Sequence, residues 1–182
     1  MSIIILGSQG NIGSRLMAAF PGAIGIDRVD GAEIVTTLAE IDYESEIVRA
    51  AFEQAEGLIH VATSPIVEDP DAIHWQAVVD TARLLTACDR YDIARVVIPS
   101  SDWADPKTRW AMFEQNAYGH SKRVFEAMAH MYNTKPGRHC VALRFGWVAA
   151  DIADYEAADP WLKANYWDTD RLIAQVTAAL GT

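Results

Sequence analysis

The fold of this chain is decided by its opening stretch, IIILGSQGNIG at residues 3–13. Four apolar residues, three of them β-branched, stop at a glycine, as is typical of a buried parallel strand. Glycines follow at intervals of three, at Gly7, Gly10 and Gly13, and lead into a segment with helical periodicity. Such spacing permits a tight turn, close approach of a ligand to the backbone, and close packing of helix on strand. It predicts a strand, a phosphate-binding turn and a helix, although a glycine turn that binds nothing remains an alternative.

The residues around this turn indicate which ligand would bind there. Amide groups at the start of the helix, from Asn11 and Ile12, are free to hold phosphate oxygens. Asp27 lies twenty residues after Gly7, at the end of the predicted second strand. A carboxylate there accepts hydrogen bonds from ribose hydroxyls and repels a 2′-phosphate, which favours NAD over NADP. Arg28 would weaken that preference, and a simple turn-forming role for Asp27 stays open.

Strand and helix patterns alternate along the rest of the chain. The predicted helices are Asn11–Phe20, Tyr43–Gln54, Asp71–Arg90, Ala117–Tyr132 and Thr169–Leu180, with Asp168 or Thr169 capping the last. The predicted strands after the first are Ala23–Asp27, Glu33–Leu38, Leu58–Val61, Arg95–Ile98 and Cys140–Phe145, with Pro99 closing the fifth. Residues 149–166 are predicted to be irregular. This alternation predicts an α/β fold, a Rossmann-type doubly wound parallel sheet, as a single domain over residues 1–182.

Composition narrows the possible partners and the environment. The 182 residues are 51% hydrophobic, which is enough for a substantial core, and the net charge of −10 argues against nucleic acid or anionic membranes as partners. No cleavable leader or long apolar segment is visible, so a cytoplasmic location is expected. Cys88 and Cys140 are isolated and are expected to be reduced thiols.

The histidines do not predict a metal site. His74, His120, His130 and His139 show no ligand spacing, so no metal is expected. His60 ends the predicted fourth strand, where a buried, hydrogen-bonded structural role is favoured over a role as ligand or base.

A second motif lies far downstream, Tyr118-Gly119-His120-Ser121-Lys122. Residues four apart lie on one helix face, so the ammonium of Lys122 would favour the phenolate of Tyr118 and lower its pKa. Such a tyrosine can exchange a proton with a substrate hydroxyl while hydride moves at the carbon. Ser100 and Ser101 follow the fifth strand, at the sheet edge where doubly wound folds bind their ligands. An incidental pairing of Tyr118 with Lys122 is the alternative.

Together these motifs resemble the extended short-chain dehydrogenases/reductases of the NAD-dependent epimerase/dehydratase family, and more weakly the uronate dehydrogenases within it. The resemblance covers nearly the whole chain. It rests on the glycine turn and Asp27, and on the segments 58–62, 84–88, 96–101, 118–122, 143–146 and 161–170.

The resemblance implies a role for each matching residue. Ser101 would orient a substrate oxygen, with Ser100 as the alternative if the register shifts by one; Tyr118 would be the acid/base; and Lys122 would activate it and hold the nicotinamide ribose. The implied cofactor-binding residues are Gly7, Gly10, Asn11, Ile12, Gly13, Asp27, Arg28, Leu38, Val61, Ala62, Thr63, Tyr118, Lys122 and Phe145. The implied reaction is hydride transfer at a carbinol or carbonyl carbon of a small sugar-like substrate, in a homodimer paired through the two longest helices.

Some positions depart from the family pattern. Ala77 stands where an asparagine usually completes a proton relay, and Asp80 stands where a glycine is usual. Residues 36–38 replace an aspartate that usually faces adenine, and the substrate segment, about residues 146–182, is minimal. Two alternatives therefore stay open: a non-catalytic dinucleotide-binding sensor or partner module, and a sugar epimerase with tightly held NAD.

Tryptophans are abundant around the expected mouth of the site, at positions Trp103, Trp110, Trp147, Trp161 and Trp167. Indole rings can stack on a sugar or on nicotinamide, and they can equally pack against one another or form a dimer face. The sequence leaves both roles open.

Overall fold

The computed structural model describes residues 2–107 and 116–181. The strands are β1 Ile3–Leu6, β2 Ile24–Asp27, β3 Ile34–Val35, β4 Gly57–His60, β5 Arg95–Ser100 and β6 His139–Arg144. The helices are α1 Asn11–Ala19, α2 Glu46–Gln54, α3 Asp71–Arg90, α4 Ala117–Tyr132, α5 Ile152–Ala157, α6 Pro160–Lys163 and α7 Thr169–Leu180, and a 3₁₀ turn spans Asp102–Ala104. All strands pair in parallel, in the order β3-β2-β1-β4-β5-β6. The predicted α/β fold with one doubly wound sheet is confirmed.

Helices cover both faces of this sheet. Along β1, Ile4 and Leu6 point into a core built with α2, α3 and α4, whereas Ile3 and Ile5 point into a second core built with α1 and α7. Alternate residues of a strand face opposite sides, so an apolar run can serve two cores at once. This explains why β1 carries no polar residue.

The order of the strands fixes where a ligand can bind. The chain passes from β1 outward to β3 and then returns to place β4 on the other side of β1. The loops after β1 and β4 therefore diverge, and a crevice opens at the carboxyl ends of these strands. The glycine turn, Asp27 and the segment after His60 all lie at this edge.

Strand β5 is longer than predicted, because Pro99 does not end it. Pro99 pairs with Leu143 of β6, and the strand continues to Ser100. The carbonyl groups of Ala94 and Ser100 accept hydrogen bonds from the amides of His139 and Phe145, so the backbone polar groups of even-numbered residues face β6. The backbone groups alternate along a strand, and those of Pro99 therefore face the β4 side. The pairing of β4 with β5 already ends at Val97, and the missing N–H of proline therefore removes no ladder bond.

Other predicted bounds also shift. The third strand has two residues instead of six, and α2 begins at Glu46 after the N-cap residue Ser45. The prediction of an irregular segment at 149–166 is wrong, since it contains α5 and α6. Asp151 caps α5 by accepting a hydrogen bond from the Asp154 amide at 2.9 Å.

Candidate active site

The glycine turn after β1 is tightly packed. Gly7 has φ +84°, and its amide donates to the Ile26 carbonyl at 2.8 Å. A β-carbon on Gly7 would lie 2.9 Å from the Ala62 nitrogen, and one on Gly13 would overlap the Gly7 carbonyl oxygen. Both positions therefore require glycine for the turn to form.

The start of α1 has no side-chain cap. Gly10 is the N-cap residue and cannot supply one. The Asn11 side chain donates instead to the Val148 carbonyl at 2.8 Å, and Ile12 packs against the second core. The backbone amides of the first turn are thus left to bind an anion, and this arrangement fits the diphosphate of a dinucleotide.

Asp27 lies at the carboxyl end of β2, beside the glycine turn. Its carboxylate accepts from the Gln9 amide at 2.9 Å and from the Val29 amide at 3.3 Å. These bonds hold the carboxylate at the cavity wall, where it can also accept hydrogen bonds from a ribose. Arg28 is exposed and lines the same cavity.

A cavity of about 790 Å³ extends from this turn along the sheet edge. Its volume lies in the usual range for small-molecule and cofactor sites. The predicted cofactor residues that line it are Gly7, Gly10, Asp27, Arg28, Leu38, Val61, Ala62 and Thr63. Those that do not line it are Asn11, Ile12, Gly13, Tyr118, Lys122 and Phe145.

Tyr118 lies beyond the Thr63 end of this cavity, on α4. Its side chain is 8% exposed and forms a hydrogen bond with Ser101. Ser100 points elsewhere, since its hydroxyl donates to Glu126 at 2.8 Å. The structure therefore brings Ser101, and not Ser100, to the predicted acid/base.

Lys122 links this tyrosine to the cavity. Its ammonium nitrogen lies 4.9 Å from the centre of the Tyr118 ring and donates to the Thr63 hydroxyl at 3.2 Å. The side chain is buried, and burial lowers the pKa of Lys122 to about 7.

Burial also acts on the phenol, in the direction opposite to the expectation from sequence. It raises the pKa of Tyr118 above its ordinary value, and the hydrogen bond with Ser101 offsets only part of this rise. The net shift is therefore opposite to the lowering expected from Lys122, because the charged phenolate loses its solvation when it is buried. The phenol of Tyr118 therefore stays protonated at neutral pH.

His60 has the geometry of a buried structural histidine. Its Nδ1 accepts from the Ala62 amide at 3.3 Å, so Nε2 carries the hydrogen and donates to the Thr81 hydroxyl at 3.2 Å. Burial, with a smaller effect of Lys122, lowers the pKa of His60 to about 3. The ring thus stays neutral and orients the segment that carries Thr63.

Sequence reasoning missed two polar features of this region. His74 on α3 is 3% exposed, its ring lies 5.4 Å from that of Tyr118, and its Nε2 has no hydrogen-bond partner among the described residues. The available signal in the sequence was that His74 lies three residues before Ala77, the position expected to face the site, and therefore on the same helix face. Glu126 joins Ser100 to Arg144, which donates to it at 2.7 Å.

Aromatic residues after β6 pack mainly against one another. Phe145 lies 6.0 Å from Trp167, and a β-carbon on Gly146 would overlap the Trp167 ring. Trp147 stacks on Tyr155 at 6.3 Å. The remaining predicted mouth residues are Trp103, at 6.4 Å from Tyr118, Trp161, which is 43% exposed, and Trp110, which lies outside the described residues.

The described residues contain neither a membrane-spanning helix nor a metal-binding cluster. No helix in residues 2–107 or 116–181 is long and apolar enough to cross a membrane. Over the same ranges, no group of three or more His, Cys, Asp or Glu side chains could hold a metal ion.

Comparison with known families agrees with this geometry. The sequence profile of the NAD-dependent epimerase/dehydratase family matches residues 3–154, which include the glycine turn, Asp27 and the Tyr118/Lys122 pair. The chain belongs to the NAD-dependent epimerase/dehydratase family. No curated protein sequence matches it.

Solved structures show the same fold. A mutated uronate dehydrogenase superposes with a TM-score of 0.74 at 21% identity, over 98% of this chain and 68% of that one. A UDP-N-acetylglucosamine 4-epimerase from Bacillus cereus gives 0.62 at 20% identity, over 81% and 54%. A short-chain dehydrogenase/reductase superfamily protein from Agrobacterium tumefaciens with bound NAD gives 0.62 at 22% identity, over 81% and 50%. This epimerase/dehydratase family member thus spans about half the length of the last two chains.

Proposed function

We propose that this protein is an NAD-dependent oxidoreductase that transfers hydride at a carbinol or carbonyl carbon of a small sugar-like substrate. The observation that carries the proposal is the contact of Ser101 with Tyr118, next to a lysine that reaches the cofactor cavity through Thr63. A buried phenol, an orienting hydroxyl and a lysine at one end of a cavity lined by a glycine turn are the parts that this chemistry needs.

Each side chain has a defined task in this proposal. Ser101 orients the substrate oxygen towards the phenol of Tyr118, which gives its proton to that oxygen on reduction and takes it back on oxidation. The cofactor, when bound, would accept the hydride as NAD on oxidation and would donate it as NADH on reduction. Lys122 stabilises the phenolate left after proton donation and holds the ribose hydroxyls, while Thr63 fixes the lysine in place. The segment of residues 146–182 would bind the substrate.

Cofactor choice follows from Asp27. Its carboxylate is fixed beside the glycine turn by two amides and would repel a 2′-phosphate, so NAD is proposed over NADP. Parallel calorimetric titrations with NAD and NADP test this choice. Preference for NADP would show that Arg28 outweighs Asp27, and binding of neither would overturn the proposed function.

Replacement of Tyr118 by Phe tests the acid/base assignment. Tyr118→Phe should bind NAD as tightly as the wild type and reduce turnover on a panel of sugars and uronates by about 10²–10⁴-fold, because the proton donor is lost. Tyr132→Phe is the matched control: it lies on the same helix, and its hydroxyl donates to the Ile93 carbonyl at 2.6 Å, away from the site. Unchanged turnover in Tyr118→Phe would contradict the assignment.

A homodimer is proposed as the working form. The support is a set of exposed apolar side chains on α3 and α4, which pack side by side. Solvent-exposed apolar patches of this kind mark interaction surfaces.

A further inference from the structure

The far end of the cofactor cavity contains a buried carboxylate that the proposed chemistry does not use. Asp80 lies on α3, is 5% exposed, and lines the cavity together with the glycine turn and Asp27. A carboxylate removed from water needs hydrogen-bond donors to offset its lost solvation.

The described residues donate a hydrogen bond to only one of the two oxygens of this carboxylate. Its Oδ1 receives a hydrogen bond from the Gln76 side chain at 2.9 Å and lies 3.8 Å from Arg83. Among the described residues none donates to Oδ2. One carboxylate oxygen is therefore available to a donor from a molecule in the cavity.

Contacts of the neighbouring arginine show which part of the cavity this is. Arg83 donates to the Ala39 carbonyl at 2.7 Å, which ties α3 to the segment after β3. The same nitrogen of Arg83 lies 3.8 Å from Asp80, so Asp80 lies near Ala39, at the end of the cavity-lining residues 36–39. A dinucleotide with its diphosphate on α1 and its ribose at Asp27 would place its base in this space, between the apolar side chains of Leu38 and Ala62.

We infer that Asp80, supported by Gln76, recognises the exocyclic amino group of adenine and makes the site selective for an adenine dinucleotide. The amino group is a donor that matches the available carboxylate oxygen. The Gln76 amide beside it has a second hydrogen that can reach an adjacent ring nitrogen, and such paired donors and acceptors distinguish adenine from other bases. This inference rests on the proposed function, since it assumes that a dinucleotide occupies the cavity.

Nicotinamide hypoxanthine dinucleotide provides the test, because it replaces the amino group by an oxygen and adds a hydrogen to the adjacent ring nitrogen N1, and it leaves the ribose, diphosphate and nicotinamide of NAD unchanged. Calorimetry of the wild type should show NAD binding roughly ten- to a hundred-fold more tightly, as expected for one lost hydrogen bond to a charged group. Asp80→Asn should reduce this ratio to near one, because an amide can either accept from the amino group or donate to the oxygen. Asp80→Ala serves the same purpose if the asparagine variant does not fold.

Asp89→Asn is the matched control, since it removes a carboxylate from the same helix at a half-buried position that does not line the cavity. It should leave the ratio at the wild-type value. A wild type that binds both dinucleotides equally, or a ratio that survives in Asp80→Asn and Asp80→Ala, would overturn the inference and leave the proposed function intact. Binding of neither dinucleotide to the wild type would overturn the proposed function and, with it, this inference.

Discussion

At the scale of single residues, burial of His60 makes the stability of the protein depend on pH. The ordinary pKa of 6.5 falls to about 3 in the folded chain. Between these values the unfolded chain binds a proton that the folded chain excludes, so stability is lost as the pH falls from about 6.5 towards 3. His60 should contribute roughly 2–4 kcal/mol to the loss between pH 7 and pH 4.

His60→Asn isolates this contribution. Asparagine cannot titrate and can still accept from the Ala62 amide, so its free energy of unfolding should fall less between pH 7 and pH 4 than that of the wild type. Urea unfolding at several pH values measures both slopes, and the difference between them removes the effect of the carboxylates that the two proteins have in common. Two parallel curves would mean that the folded protein accommodates the charged ring.

At the scale of elements, the turn between β1 and α1 contains one glycine that is needed for folding and another that is needed for binding NAD. A β-carbon on Gly13 would overlap backbone of the same turn, so Gly13→Ala should lower the free energy of unfolding by about 2–4 kcal/mol. A β-carbon on Gly10 would lie 3.4 Å from the Gly7 oxygen, and its φ of −73° suits any residue. Gly10→Ala should therefore stay within about 1 kcal/mol of the wild type and lose NAD affinity at least ten-fold, because the methyl group blocks approach to the backbone.

These two variants are controls for each other. Urea unfolding measures the stability of each, and calorimetric titration with NAD measures affinity in the fraction that folds. Equal losses of stability would show that the turn tolerates neither methyl group. If Gly10→Ala kept full affinity for NAD, the diphosphate would not bind at this turn.

The same elements show what sequence could predict and why the rest escaped. The sequence pattern predicted the bounds of α3, α4 and α7 to the residue, and α3 and α7 also had start signals, at Pro70 and Asp71 and at Asp168. The prediction that Pro99 ends β5 was wrong because a proline removes a hydrogen bond only if its nitrogen faces a paired strand. Which strand it faces depends on the pairing in the sheet and not on the local sequence. Lys122 was predicted from motif spacing and Ser101 from the family resemblance, and their roles stay predictions. The contact of His74 with Tyr118, and the contact of Arg83 with Ala39 beside Asp80, join residues distant in sequence, so sequence alone left the place of His74 and Asp80 in the site open.

At the scale of the whole molecule, the outer faces of α3 and α4 predict self-association. Trp75 and Val79 lie one turn apart on α3 and are 62% and 53% exposed, and Met131 on α4 is 71% exposed. Burying this surface against a second copy would remove apolar area from water on both subunits, through an isologous contact.

Sedimentation velocity over a range of concentrations should show a dimer for the wild type and a monomer for Trp75→Glu. Ile152→Glu is the control, since Ile152 on α5 is 75% exposed outside this face and its replacement should leave the dimer intact. A wild type that remains monomeric at every concentration would contradict the prediction, and a Trp75→Glu protein that still dimerises would move the interface to another surface.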